Sequence, residues 1–115
     1  MKYEKITDPD GVLNWYLNEL LHRENGPAVL WPDGTQFWYL NGLLHRTDGP
    51  AYICPTFPTV TQFWYLNGTK LNVEQVNTYK YLLECPLKKL PLYLENQLFI
   101  PVIEKRFRMT PKNRP

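Results

Sequence analysis

Gln36-Phe37-Trp38-Tyr39-Leu40-Asn41-Gly42-Leu43-Leu44-His45-Arg46-Thr47-Asp48-Gly49-Pro50-Ala51 is the stretch whose reading decides the fold. Asn41-Gly42 stands between two apolar runs, a strong signal for a two-residue hairpin. Both central residues of a type I′ turn need positive φ, which Asn and Gly tolerate. A two-residue turn fixes the pairing. Leu40 faces Leu43, Tyr39 faces Leu44, Trp38 faces His45 and Phe37 faces Arg46. Side chains alternate along a strand. Trp38, Leu40, Leu43 and His45 therefore share one face, and Phe37, Tyr39, Leu44 and Arg46 share the other. The second strand runs into Arg46-Thr47-Asp48-Gly49-Pro50, a bend built from residues that tolerate turn dihedrals.

The stretch has copies on both sides. Trp15-Tyr16-Leu17-Asn18-Glu19-Leu20-Leu21-His22-Arg23-Glu24-Asn25-Gly26-Pro27-Ala28 precedes it at an offset of 23 residues. Gln62-Phe63-Trp64-Tyr65-Leu66-Asn67-Gly68 follows at an offset of 26. A fixed period in this range marks stacked supersecondary units. The additional residues of the third copy fall in Cys54-Pro55-Thr56-Phe57-Pro58-Thr59-Val60-Thr61, a longer loop with two prolines. Ala28-Val29-Leu30-Trp31 reads as a connecting strand that Pro32-Asp33-Gly34 turns back, and residues 1–10 read as a polar lead-in. The expectation is a mainly β protein, an antiparallel meander of about six strands in one twisted sheet.

Such an array leaves a face and an edge open at its end, which calls for a cap. Asn72-Val73-Glu74-Gln75 has the N-cap and capping-box pattern. Val73, Val76, Tyr79, Leu82 and Leu83 then recur at helical spacing. The sequence predicts a short capping helix over about 73–84, stopped before Pro86. Tyr93-Leu94-Glu95-Asn96-Gln97-Leu98 looks like a worn echo of the hairpin and predicts a short one. Residues 104–115 read as an extended basic tail. The domain reading is 1–85 for the β copies with their helix, and 86–115 for a Pro-rich basic docking arm.

The chain of 115 residues has 15% aromatic residues, 11 Pro and two Cys, with a net charge of +2. The charge is uneven: residues 1–85 carry −3 and residues 86–115 carry +5. Two cysteines make no disulfide framework. No apolar run is long enough for a membrane span, and the N-terminus lacks the apolar core of a signal peptide. A reducing, intracellular site of synthesis is the expectation.

The pattern Trp-Tyr-Leu-Asn-Gly-x-Leu-His-Arg-x-Asp-Gly-Pro-Ala resembles a variant of MORN-type repeats, most like those of large phages and giant DNA viruses. The resemblance covers about residues 10–85. It implies a β-hairpin array and a role as an interaction or scaffold module, with no shared chemistry. Glu19, in place of the turn Gly, and Leu71-Asn72, in place of His-Arg, depart from the pattern.

His22 and His45 are the only histidines and occupy equivalent positions. They read either as ligands on adjacent strands or as cross-strand partners of Trp15 and Trp38. Leu71 in the third copy favours packing. His22, His45, Cys54 and Cys85 lack zinc-site spacing. Arg23 and Arg46, with Glu24, Asn25 and Asp48, read as turn-stabilising groups, with an acidic ligand as the other reading. No catalytic set or phosphate loop is visible. Neither an enzyme, nor a cofactor, nor a metal is expected. The aromatic rows Trp15, Trp38, Trp64 and Tyr16, Tyr39, Tyr65 form one ladder per face, one expected in the core and one partly exposed. An exposed row is a docking surface for protein or for single-stranded nucleic acid. The candidate partner-binding residues are Tyr16, Tyr39, Tyr65, Trp38 and Arg46 on the copies. In the tail they are Lys105, Arg106, Phe107, Arg108, Lys112 and Arg114. The expected function is protein binding within a viral assembly. The alternatives are an effector that inhibits a host defence protein and nucleic-acid binding through the tail.

Overall fold

The computed structural model describes residues 2–56 and 58–108. The chain divides into two compact units, Met1–Lys70 and Leu71–Pro115. The division falls after Lys70, so the predicted helix stands with the residues that follow it.

The first unit is antiparallel β. Its strands are β1 (Tyr3–Thr7), β2 (Leu13–Leu17), β3 (Leu20–Leu21), β4 (Val29–Leu30), β5 (Gln36–Phe37), β6 (Tyr39–Leu40), β7 (Leu43–Leu44), β8 (Tyr52–Cys54), β9 (Thr61–Phe63), β10 (Tyr65–Leu66) and β11 (Thr69–Lys70). The hairpin register near the turn is the predicted one, with Tyr39 opposite Leu44 and Leu40 opposite Leu43. Phe37, however, pairs with Val29 and Tyr52 instead of Arg46, whose side chain lies over Trp38 and not on the face of Phe37 and Tyr39. The His45 N–H donates to Trp38 O at 2.9 Å, continuing the pairing.

Two further features differ from the sequence reading. Residues 3–7, read as a lead-in, form β1, which pairs with β2 along its whole length. The single sheet is instead a main sheet in the order β1-β2-β4-β5-β8-β9, with β3 on β2, plus two separate hairpin ends, β6–β7 and β10–β11. The separation has a physical cause. Trp38 N–H still donates to Ala51 O at 2.7 Å, within the main sheet. Beyond it, the hairpin bonds to the hairpin of the copy before it. Arg23 N–H donates to Tyr39 O at 3.1 Å and Gly42 N–H to Leu21 O at 2.8 Å. The next step repeats the pattern, Arg46 N–H to Tyr65 O and Gly68 N–H to Leu44 O. These bonds are too widely spaced to form a ladder, yet they bind each hairpin to its neighbour.

The core of this unit is small: Val12, Ala28, Val29, Ala51, Leu66 and the polar His22, Thr35 and His45 are buried. Ala28 and Ala51 are fully buried, their carbonyls accepting from Trp15 and Trp38 N–H. Neither aromatic ladder is fully buried. Both the Trp and the Tyr rows are half-exposed, and arginine side chains lie on Trp15 and Trp38.

The second unit is helical. α1 (Val73–Glu84) has the predicted bounds and a complete capping box. Asn72 Oδ1 accepts from Gln75 N–H at 2.8 Å, and Gln75 Oε1 accepts from Asn72 N–H at 2.9 Å. Tyr79 and Leu82 face inward, whereas Val73 is exposed. The hairpin predicted at 93–98 is absent. Leu87–Tyr93 and Gln97–Phe99 are 3₁₀ helices, and Asn96 caps the second by accepting from Leu98 N–H at 3.1 Å. The predicted extended tail is helical as far as Arg108, in α2 (Ile100–Arg108). Pro101 falls in its first turn, where a missing N–H costs nothing. Val102 and Ile103 join Tyr79, Leu82, Leu90 and Phe99 in a core that holds most of the protein's large buried side chains. Residues 109–115 lie outside the described residues. Among the described residues no helix is long and apolar enough to cross a membrane.

The hairpin turns explain one departure in sequence. Asn41 and Gly42 have φ of 51° and 81°, Asn67 and Gly68 49° and 83°, as a type I′ turn requires. Asn18 and Glu19 adopt the same geometry, with φ of 51° and 70°. Glu19 is therefore held in a left-handed conformation that disfavours a residue with a Cβ. Glu19→Gly should stabilise the protein by about 1 kcal/mol, less the greater flexibility glycine gives the unfolded chain. The check is a higher urea midpoint at unchanged slope. A lower midpoint would show that Glu19 makes compensating contacts.

Candidate functional site

The register of the main sheet brings an aromatic row together. Val29 lies opposite Phe37, Phe37 opposite Tyr52, and Tyr52 opposite Phe63. Directly opposed residues share a face, so the rings meet. Tyr39 stacks on Phe37 at 6.4 Å, Phe37 meets Tyr52 at 5.0 Å, and Tyr52 stacks on Phe63 at 5.7 Å. Lys70 Nζ lies 3.9 Å from the Phe63 centroid and ends the row. All four rings are half-exposed. Of these residues the sequence reading singled out only Tyr39. Phe37, Tyr52 and Phe63 come together because β8 pairs with both β5 and β9, a pairing that spans the irregular loop.

The opposite face carries two arginine clamps. Arg23 Cζ lies 3.9 Å from the Trp15 centroid and Arg46 Cζ 3.6 Å from that of Trp38. Arg23 Nη1 donates to Pro27 O at 3.2 Å, and Arg46 Nη1 to Pro50 O at 3.1 Å. Gly26 and Gly49 close the sandwich. A Cβ on either would stand 2.9 or 3.0 Å from the guanidinium carbon, too close to fit without displacing it. The Arg-x-x-Gly-Pro segment is thus a folded loop wrapped around its own arginine. Trp38 and Arg46 are brought together as a structural pair, which leaves the Trp38 ring covered on one side.

The histidines pair across the strands with Trp15 and Trp38, His22 N–H donating to Trp15 O at 3.0 Å and His45 N–H to Trp38 O at 2.9 Å, and their rings have a further role. His22 Nδ1 accepts from the backbone N–H of Asn41 at 2.9 Å, and His45 Nδ1 from that of Asn67 at 2.8 Å. Each histidine thus ties its copy to the turn of the next one. The ring proton of His22 then sits on Nε2, which faces Glu24 Oε2 at 3.4 Å. The third copy has Leu71 in this place, and no further Asn-Gly turn follows it. Among the described residues no three His, Cys, Asp or Glu side chains lie together as a metal site would require.

The tail candidates are distributed. Arg106 is half-buried and serves the end of α1: its Nη1 donates to Leu82 O at 2.6 Å and its Nη2 to Cys85 O at 2.9 Å. α1 has no basic residue in its own last turn, so Arg106 supplies from α2 the cation that a helix C-terminus favours. Lys105 is half-buried, Phe107 and Arg108 are exposed, and Lys112 and Arg114 lie outside the described residues. Tyr16 and Tyr65 are half-exposed at positions equivalent to Tyr39.

Cys54 lies at the loop end of the aromatic row. Its Sγ is 3.3 Å from Thr56 Oγ1 and receives Thr35 Oγ1 at 3.7 Å. Hydrogen bonds from Thr56, through its hydroxyl and its N–H, and then from Thr35, bring the thiol down to about 7. Cys85 is buried, and both cysteines are free. No protein-family model, no curated protein and no solved structure matches the chain.

Two outcomes follow. Burial holds the pKa of His45 below its ordinary 6.5, so the unfolded chain takes up a proton before the folded one. The stability His45 contributes is full above pH 6.5 and is lost as acid protonates the acceptor nitrogen. The urea midpoint should fall from pH 7 towards pH 5, and His45→Leu should remove that component. At pH 7 the variant should lose about 1 kcal/mol, the typical net worth of one hydrogen bond. Cys54 should react with iodoacetamide with a midpoint near pH 7 while Cys85 stays protected, and Thr56→Val should move the midpoint upward.

Proposed function

We propose that this chain is a non-catalytic protein-binding module that docks into a larger assembly. The observation that carries the reading is the half-exposed row Tyr39–Phe37–Tyr52–Phe63, ended by Lys70. Rigid aromatic side chains with few rotatable bonds lose little entropy on binding and dominate protein interfaces. Here they are held by strand pairing, so their arrangement precedes any partner. The resemblance of the copies to MORN-type repeats of large phages and giant DNA viruses supports the same reading and suggests a viral accessory or structural component. The exposed Phe107 and Arg108 at the end of α2 offer a second, smaller contact.

The test is affinity capture of native-host proteins by the full-length chain and by Tyr39→Ser/Phe63→Thr, with circular dichroism to confirm that the variant is folded. Both substitutions together should weaken retention at least tenfold, as loss of two hot-spot side chains does. A chain ending at Arg108 should retain the partner. Capture of no protein by the intact chain counts against the module. Capture of nucleic acid that is released steeply by salt would favour the tail as a polyanion-binding arm instead.

A further inference from the structure

The two arginine clamps differ in one respect. Over Trp38 the guanidinium is completed by a carboxylate, since Arg46 Nε donates to Asp48 Oδ1 at 2.8 Å. Over Trp15 the arrangement is otherwise the same: ring stacking at 3.9 Å, Nη1 on Pro27 O, and Gly26 against the guanidinium. The residue in the place of Asp48 is Asn25. Arg23 has no carboxylate partner among the described residues. The neighbouring acids are engaged elsewhere, Glu24 with His22 at 3.4 Å and Glu4 with Lys2 at 3.9 Å. A second cation is close by, with Lys5 Nζ 5.4 Å from the Trp15 centroid. An open groove of about 580 Å³ lies beside these groups, lined among others by Lys5, Trp15, Arg23 and Asn25 and also by the acids Glu4 and Glu24, which turn to Lys2 and His22.

We propose that this groove receives an aspartate or glutamate side chain of a partner polypeptide. That carboxylate takes on Arg23 the position that Asp48 takes on Arg46. The chemistry favours it. A guanidinium stacked on an indole keeps its N–H edge for an in-plane acceptor, and its orientation is fixed before the acceptor arrives. A charge-assisted N–H···O⁻ bond is about twice as strong as a neutral one. Tyr3 and Tyr16 offer apolar surface for the residues that flank the acid, and Lys5 adds a second positive charge. The inference rests on the protein-binding reading and adds a recognition element to it, an acidic residue in the bound segment.

The experiment is NMR on the full-length chain, following the arginine Nε–Hε and tryptophan indole resonances. The probes are N-acetyl-aspartate methylamide and its asparagine analogue, which has the same shape without the charge. The aspartate probe should shift Arg23 and Trp15 saturably and leave Arg46 in place, and the asparagine probe should shift neither. Asn25→Asp supplies the missing carboxylate from within the chain, in a loop whose second copy already has that residue. It should weaken the response at least tenfold. Asp48→Asn should make Arg46 respond in its turn. A non-saturable response at Arg23, an equal response to the asparagine probe, or an unchanged response in Asn25→Asp would each overturn the proposal. Should the probe fail at Arg23 while the aromatic row still captures its partner, the groove proposal falls and the module reading stands. Should the probe bind while the intact chain captures no protein, the module reading falls instead.

Discussion

Each histidine ring of the first unit accepts a hydrogen bond from a backbone N–H one copy further along, and the stacking of hairpins depends on that bond. A type I′ turn turns its first N–H away from its own strands, where the hairpin itself offers it no acceptor. An intramolecular hydrogen bond to such a group contributes roughly 0.5–1.5 kcal/mol. His22 and His45 provide the acceptor from below. The bond fixes the spacing and rotation of one hairpin on the next, and it brings Gly42 N–H and Leu21 O, or Gly68 N–H and Leu44 O, within bonding distance. It also requires a neutral ring, which burial secures for His45. A stack of two-residue strands, with little apolar core, is in this way held by polar contacts placed at regular intervals.

The arginines complete the arrangement on the neighbouring position. Backbone N–H groups of Arg23 and Arg46 bond to the next hairpin while their side chains turn back over Trp15 and Trp38. One residue therefore links copies through its main chain and folds its own loop through its side chain. This explains why His-Arg and Gly-Pro-Ala travel together in the sequence. The histidine needs the next turn, the arginine needs the glycine for clearance, and the fully buried alanine accepts from the tryptophan N–H. In the third copy, where His-Arg is absent, Lys70 lies over Phe63 on the other face.

Much of the first unit was legible in the sequence because its determinants are local. Asn41-Gly42 demands positive φ, alternation assigns faces, and the period of 23 residues locates the copies. The further role of the histidine rings was not legible, since Leu71 at the third position made the site look like a packing slot. The structure shows a slot that has lost its partner turn. The aromatic row depended on which strand β8 would pair with across a loop that breaks the period. In the second unit α1 follows its sequence signals, whereas the residues after it depart from them for a different reason. Prolines in residues 86–101 suggested an extended arm, yet Pro91 sits inside a 3₁₀ helix and Pro101 in the first turn of α2. The basic residues of that arm read as partner contacts, but Arg106 is used to close α1.

What differs between equivalent positions is more informative about function than what they share. The shared residues are all accounted for by the stack: a turn, an acceptor, a clamp and a small residue. A substitution at one of these positions either strains the stack, as Glu19 does, or leaves a group of it unsatisfied, as Asn25 does beside Arg23. Strain of the first kind is local and costs stability alone. An arginine that is oriented, stacked and without its acid costs little in water, since solvent satisfies its remaining edge. On the proposed reading it gains from a carboxylate supplied by a partner. The two faces of the sheet thus offer different contacts, a broad ring surface on one and a single directional charge on the other. A partner that engaged both would have to fold around the edge of β1, where Tyr3 and Ile6 are exposed and no further strand is paired among the described residues.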